Sequence, residues 1–189
     1  MMMMSRFLIV TLALMLLNGC TVRYKEVGVA SDGQAYAHQL SSTQKESIAG
    51  LTQAITQLGV NVNRREAADV AYNAVVYPMH LSNKYQLVWP PSLQNIFVNA
   101  GVKERGLCYQ WARDMLAHLR SHKYQTLDFV WTISNRATKD EHNSAVVVAK
   151  GDPWQKGILL DPWRNSGNLY WQGVMSDPKY KWTLYEKDQ

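Results

Sequence analysis

Gly106-Leu107-Cys108-Tyr109-Gln110-Trp111-Ala112 decides how the chain is read. A helix begins near Gly106 and is expected to reach about Ser121. Leu107, Trp111, Met115 and Leu119 fall on one line at i, i+4 spacing, and Cys108, Ala112 and Leu116 on the adjacent line. So broad an apolar face marks a helix packed deep against other elements. Cys108 stands in its first turn, where unpaired backbone N–H groups and the positive dipole end favour a thiolate over a thiol.

Upstream the chain is helical. Residues 41–59 read as a helix with Ser42 or Ser41 as cap, Glu46 in the first turn and Ile48, Leu51, Ile55 and Leu58 at helical spacing. Gly59 is its expected stop. A second helix runs from about Arg64 to Leu81, with Pro78 expected to kink or end it. After Trp89-Pro90-Pro91, Ser92 is expected to cap a short helix reaching about Ala100 and closed by Gly101. Beyond His122 the period changes. Residues 127–133, 144–149 and 157–160 are short runs rich in Val, Ile, Phe and Trp, and 169–174 and 182–185 add further candidate strands. Helices followed by strands, without βαβ alternation, give an α+β fold with an antiparallel sheet packed on the cysteine helix.

The N-terminus carries Arg6 and then about eleven mostly apolar residues, Phe7 to Leu17, the layout of an export signal and too short to span a bilayer, which takes about 20. The run ends in Leu17-Asn18-Gly19-Cys20, which resembles the lipobox of bacterial lipoproteins. That resemblance implies a signal over residues 1–19 and acylation of Cys20, with outer-membrane lipid as the anchor because Thr21, not aspartate, follows the cysteine. It implies an envelope location on the periplasmic face. Residues 20–37, containing Gly28, Ser31, Asp32, Gly33 and Gln34, read as a lipidated tether, and 38–189 as one domain.

The chain has two cysteines, so acylation of Cys20 leaves Cys108 as the only thiol and permits no intramolecular disulfide. The formal net charge is +5, of which Arg6 in the leader contributes one; the remaining basic residues are dispersed, which argues against a nucleic-acid partner. No His, Cys or carboxylate pair has metal-ligand spacing, and no cofactor is called for. Seven tryptophans and ten tyrosines, dense between Trp154 and Tyr185, fill a core and sheet edges or else line a glycan or peptide groove.

A lone cysteine is also a common apolar filler, so its partners decide the reading. His118 and His122 lie 10 and 14 residues along the same helix, about 15 and 20 Å away at 1.5 Å per residue, beyond reach for proton transfer. They read as solvated residues near the helix C-terminus. His38 lies in the tether, and His80 is a lesser alternative on the second helix. His142, heading the run His142-Asn143-Ser144-Ala145-Val146-Val147-Val148-Ala149, is the preferred base. Asp161, after Gly157-Ile158-Leu159-Leu160, is preferred over Asp152 as the carboxylate that orients it; an Asp-Pro turn is the plainer alternative.

Gly106-Leu107-Cys108-Tyr109-Gln110-Trp111-Ala112, with His142 at a strand start and Asp161 on the next strand, resembles the transglutaminase-like superfamily of papain-like cysteine enzymes. The likeness covers about Trp89 to Trp163; the family's aromatic soon after the histidine is replaced by Asn143 and Ser144. It implies a Cys108 thiolate attacking an amide or ester carbonyl, His142 moving the proton and Asp161 orienting the imidazole. The Cys108 N–H is half of the implied oxyanion hole, with Gln94, Asn95 and Trp89 as candidates for the second donor. The implied substrate is a peptide, protein or peptidoglycan peptide, hydrolysed or transferred. The other reading is a lipid-anchored binding or assembly module that keeps this fold without turnover.

Overall fold

The computed structural model describes residues 21–185. The expected export signal and Cys20 lie outside the described residues. The fold is α+β, as the pattern of helices followed by strands required.

Among the described residues four helices precede the main sheet: α1 (Ser42–Thr56), α2 (Arg64–Lys84), α3 (Pro91–Asn99) and α4 (Cys108–Ser121). Ser41 caps α1 reciprocally: its hydroxyl accepts from Gln44 N–H, and the Gln44 side chain accepts from Ser41 N–H. Asn63 caps α2 through the N–H groups of Arg65 and Glu66. Pro78 does not end α2, which continues to Lys84. Beyond the proline, Leu81 and Tyr85 are buried against Trp111 of α4, and this packing outweighs the lost ladder bond. Ser92 is not the cap of α3; Pro90 occupies that position and Pro91 the first helical one, where a missing N–H does no harm.

Before the helices lie two short strands, β1 (Val27–Val29) and β2 (Ala35–Ala37), paired as an antiparallel hairpin. The expected tether is therefore corrected over its described part, residues 21–37. Tyr24 exchanges two hydrogen bonds with the Asn83 side chain, and Ala35 N–H donates to Asn73 Oδ1 at 3.2 Å. These residues dock on α2. No apolar period marked them because side chain-to-backbone bonds, not an apolar stripe, hold them.

The main sheet is antiparallel, in the spatial order β6 (Tyr170–Gly173), β5 (Ile158–Asp161), β4 (His142–Ala149), β3 (Leu127–Ser134), β7 (Thr183–Leu184). β4 is central and buried along its whole length. On one face Ala145 and Val147 join Leu51, Ile55, Val70, Met115 and Leu119 in the helix-covered core. On the other, Val146 packs with Leu159, Val174 and Trp182, so the C-terminal segment covers the second face. β4 and β5 run in opposite directions, which brings the start of one and the end of the other to the same end of the sheet. His142 and Asp161 occupy those two ends.

The approach to α4 is tightly tied. Gln110 Oε1 accepts from the N–H groups of Gly106 and Leu107 at 2.7 and 3.0 Å, and its Nε2 donates to Glu104 O. Trp111 Nε1 donates to Gly106 O, and Arg105 pairs with Asp114 at 2.6 Å. Gly106 has φ +130, and a Cβ there would lie 2.6 Å from Gln94 Cγ. Gly106→Ala is expected to destabilise the protein by about 1–3 kcal/mol in urea unfolding. Gly101→Ala, at φ +70 with nothing within 4 Å, is expected to cost less.

Candidate active site

Cys108 is the first residue of α4 and is half-buried. Its thiol donates to Glu141 O at 3.7 Å, and Asn143 Nδ2 lies 3.9 Å from Sγ. Asn143 is itself fixed, since its Oδ1 accepts from Trp131 Nε1 at 2.8 Å. The thiol thus sits against the first residues of β4, where the helix start meets the end of the sheet.

His142 is 1% exposed, and its Nε2 meets Asp161 Oδ2 at 2.7 Å. With Nε2 engaged, Nδ1 is the nitrogen left for the Cys108 side. Burial by itself lowers the basicity of His142. The Asp161 carboxylate, and then Cys108, override that effect and raise the imidazole pKa to about 9. A favoured imidazolium suits a partner that is to become a thiolate. The ring is walled by Trp163, Tyr180 and Trp182, at centroid distances of 4.8, 4.5 and 5.5 Å. Such a wall excludes water and leaves the ring few orientations.

The structure brings Cys108, His142 and Asp161 together beside one cleft of about 520 Å³, lined also by Ser92, Asn95, Trp163 and Tyr180. The three candidate oxyanion donors separate. Gln94 is not free for the role: it is buried, its Oε1 accepts from Val88 N–H, and its Nε2 donates to Tyr85 O and Arg105 O. It braces the loop before Cys108. Trp89 is 61% exposed and does not line the cleft. Asn95 does line it. Trp163 Nε1 donates to Asn95 Oδ1 at 3.2 Å, which fixes the amide and leaves Nδ2 as its donor end. The first N–H of a helix has no intrahelical acceptor, so the Cys108 N–H is a second donor at the same place.

The other histidines fall elsewhere. His118 is not solvated, as its place on the helix suggested. It is buried, stacked on Tyr77 at 3.7 Å and 2.8 Å from Asn73 Oδ1. Burial, then His122, holds it down to about 4, against the pull of Asp69. His122 lies 3.6 Å from Asp69. His80 stacks near Tyr77 on the same side, and His38 lies in the docked N-terminal segment. Asp152 pairs with Lys156 in an exposed turn. Among the described residues no group of three or more His, Cys, Asp or Glu could hold a metal ion.

Sequence reasoning missed Arg164 and Asp177. Arg164 Nε donates to Asp161 Oδ2 at 3.1 Å, while Nη1 and Nη2 grip both Asp177 oxygens at 3.2 and 2.7 Å. The guanidinium lies over Tyr170, 4.0 Å from its centroid. Asp177 also accepts from Trp182 Nε1 and Lys179 N–H. One arginine therefore orients Asp161 and clamps the C-terminal segment that walls His142. The i, i+3 spacing of Asp161 and Arg164 was the only local signal; Asp177 had none.

Comparison with known proteins returned no matching protein family, no matching curated protein and no matching solved structure.

Burial raises the Asp177 carboxyl, but Arg164, Lys179 N–H and the Trp182 indole together hold it down at about 2, from an ordinary 3.8. A depressed carboxylate stabilises the fold above its unfolded value and loses that contribution as pH falls toward its folded one. Acid unfolding followed by tryptophan fluorescence is therefore expected to show a stability loss between pH 3.8 and about 2 that is missing in Asp177→Asn.

Proposed function

We propose that this chain is a lipid-anchored protein of the bacterial envelope whose Cys108, His142 and Asp161 form a thiol active site acting on peptide or protein amides. The observation that carries the reading is a helix-start thiol and a buried imidazole on one cleft, with the imidazole 2.7 Å from a carboxylate. Its likeness to the transglutaminase-like enzymes rests on the same residues and on an antiparallel sheet packed on the cysteine helix.

His142 takes the Cys108 proton, and the thiolate attacks the amide carbonyl carbon, forming a C–S bond. The carbonyl electron pair moves to oxygen, and the oxyanion is held by the Cys108 N–H and Asn95 Nδ2. As the intermediate collapses, the C–N bond breaks and the imidazolium protonates the departing amine. Water or an incoming amine then gives its proton to His142, attacks the thioester and breaks the C–S bond. The thiol is regenerated and a carboxylic acid or a new amide is released. Asp161 holds its oxygen on Nε2 throughout, so Nδ1 alone moves the proton.

Iodoacetamide is expected to label Cys108 readily near neutral pH, and His142→Ala to slow that labelling by at least about tenfold. Equal rates in the two proteins would reject the thiol-enzyme reading and favour a binding module without turnover. Once a substrate amide is found, Asn95→Ala is expected to lower kcat by about 10²–10³ while leaving KM nearly unchanged. The imidazolium contribution of His142 is present below 6.5 and lost as pH rises through about 9, so the alkaline limb of the activity profile is expected near pH 9.

A further inference from the structure

The described chain begins at Thr21, which bridges Val88 in antiparallel fashion, and Val22 N–H donates to Leu87 O at 2.8 Å. An acyl group on Cys20 is covalently one residue from this pairing. The residues that follow Cys20 in the chain are therefore paired to the domain and do not form a free spacer.

The place of that pairing has the composition of a membrane interface. Trp89, next after Val88, is 61% exposed, and all seven tryptophans lie among the described residues with only Trp89 in the open. Ile96 and Val102 are equally bare, and Val102 is held to the end of α3 by its N–H bond to Phe97 O. Tryptophan is favoured at the headgroup level, where its ring finds both apolar and wet surroundings.

Beside these side chains is a basic surface. Two shallow depressions share Gln86: one is lined by Arg23 and Lys25, the other by Lys84, Val102 and Lys103. Arg23, Lys25 and Lys84 are exposed and have no salt-bridge partner among the described residues. The nearby acidic residues are Glu26 and Glu104; Arg105 is already paired with Asp114. Cations near exposed apolar side chains match anionic headgroups over acyl chains.

We infer that this face, comprising Trp89, Val102, Arg23, Lys25 and Lys84, lies on the bilayer and binds anionic phospholipid headgroups beside the anchor. The inference rests on reading Cys20 as the acylated residue. It goes beyond that reading in fixing which side of the domain meets the membrane. The thiol cleft is lined by Ser92 and Asn95 of α3, the helix that Trp89 precedes and Val102 follows in the chain.

The full chain, purified after export in a Gram-negative host, is reconstituted into phosphatidylethanolamine–phosphatidylglycerol vesicles carrying brominated acyl chains. Wild type is expected to show tryptophan quenching that Trp89→Phe largely removes. Each of Arg23→Glu and Lys84→Glu is expected to weaken binding to the anionic vesicles by roughly five-fold or more, with little change on phosphatidylcholine. Quenching that is the same in wild type and Trp89→Phe, or an anionic-vesicle affinity unmoved by both charge reversals, overturns the proposal and favours a protein partner on this face. The mass of the Cys20 peptide decides acylation separately. If Cys20 is unmodified, the anchor reading fails, and the same quenching comparison on the unacylated protein still supports or rejects the face.

Discussion

β4 has to be covered on both faces, and most of the molecule is arranged to do it. A strand reading His-Asn-Ser-Ala-Val-Val-Val-Ala has apolar side chains on each side of the sheet, so one layer of helices cannot bury it. α1, α2 and α4 take one face. The other is taken by Leu159, Val174 and Trp182, which requires the chain after β5 to fold back across the sheet. This return brings Tyr180 and Trp182 against His142 and places Asp177 where Arg164 can hold it. The aromatic wall of the histidine is thus a consequence of burying a central strand. Two-sided burial also removes water from the imidazole, which makes its pairing with Asp161 strong.

The helix carrying the thiol is positioned by a different means. Polar side chains grip the backbone of the loop before it: Gln110 from inside the helix, Gln94 from α3 and the Trp111 indole from the next position. Capping from within leaves the Cys108 end open to the cleft, and the left-handed backbone at Gly106 allows Gln94 to approach. Glutamine at 94 therefore serves as a brace of that loop, while its neighbour Asn95 lines the cleft with its amide oxygen held by Trp163.

Much of this was legible in order and period. The apolar lines of α1 and α4, the change from helical period to short β-rich runs, and the Cys108, His142, Asp161 order all come from local pattern, and each lies where the pattern put it. What the pattern misjudged had a common cause. The tether expected over residues 21–37 is docked, His118 is buried, and Pro78, expected to kink or end its helix, lies inside one that continues past it. In each case a partner far along the chain, Asn83 and Asn73, Tyr77, or Trp111, supplies the stabilising contact.

By itself the sequence determined the α+β class and the helix bearing the thiol, and it singled out Cys108, His142 and Asp161 as candidates. Those follow from side-chain period, turn residues and order along the chain. Only the tertiary structure decided which amide faces the cleft, that Arg164 and Asp177 secure Asp161, and that the first described residues are docked instead of free. Such choices depend on single hydrogen bonds between positions tens of residues apart, and one bond of that kind leaves no repeating trace in the sequence.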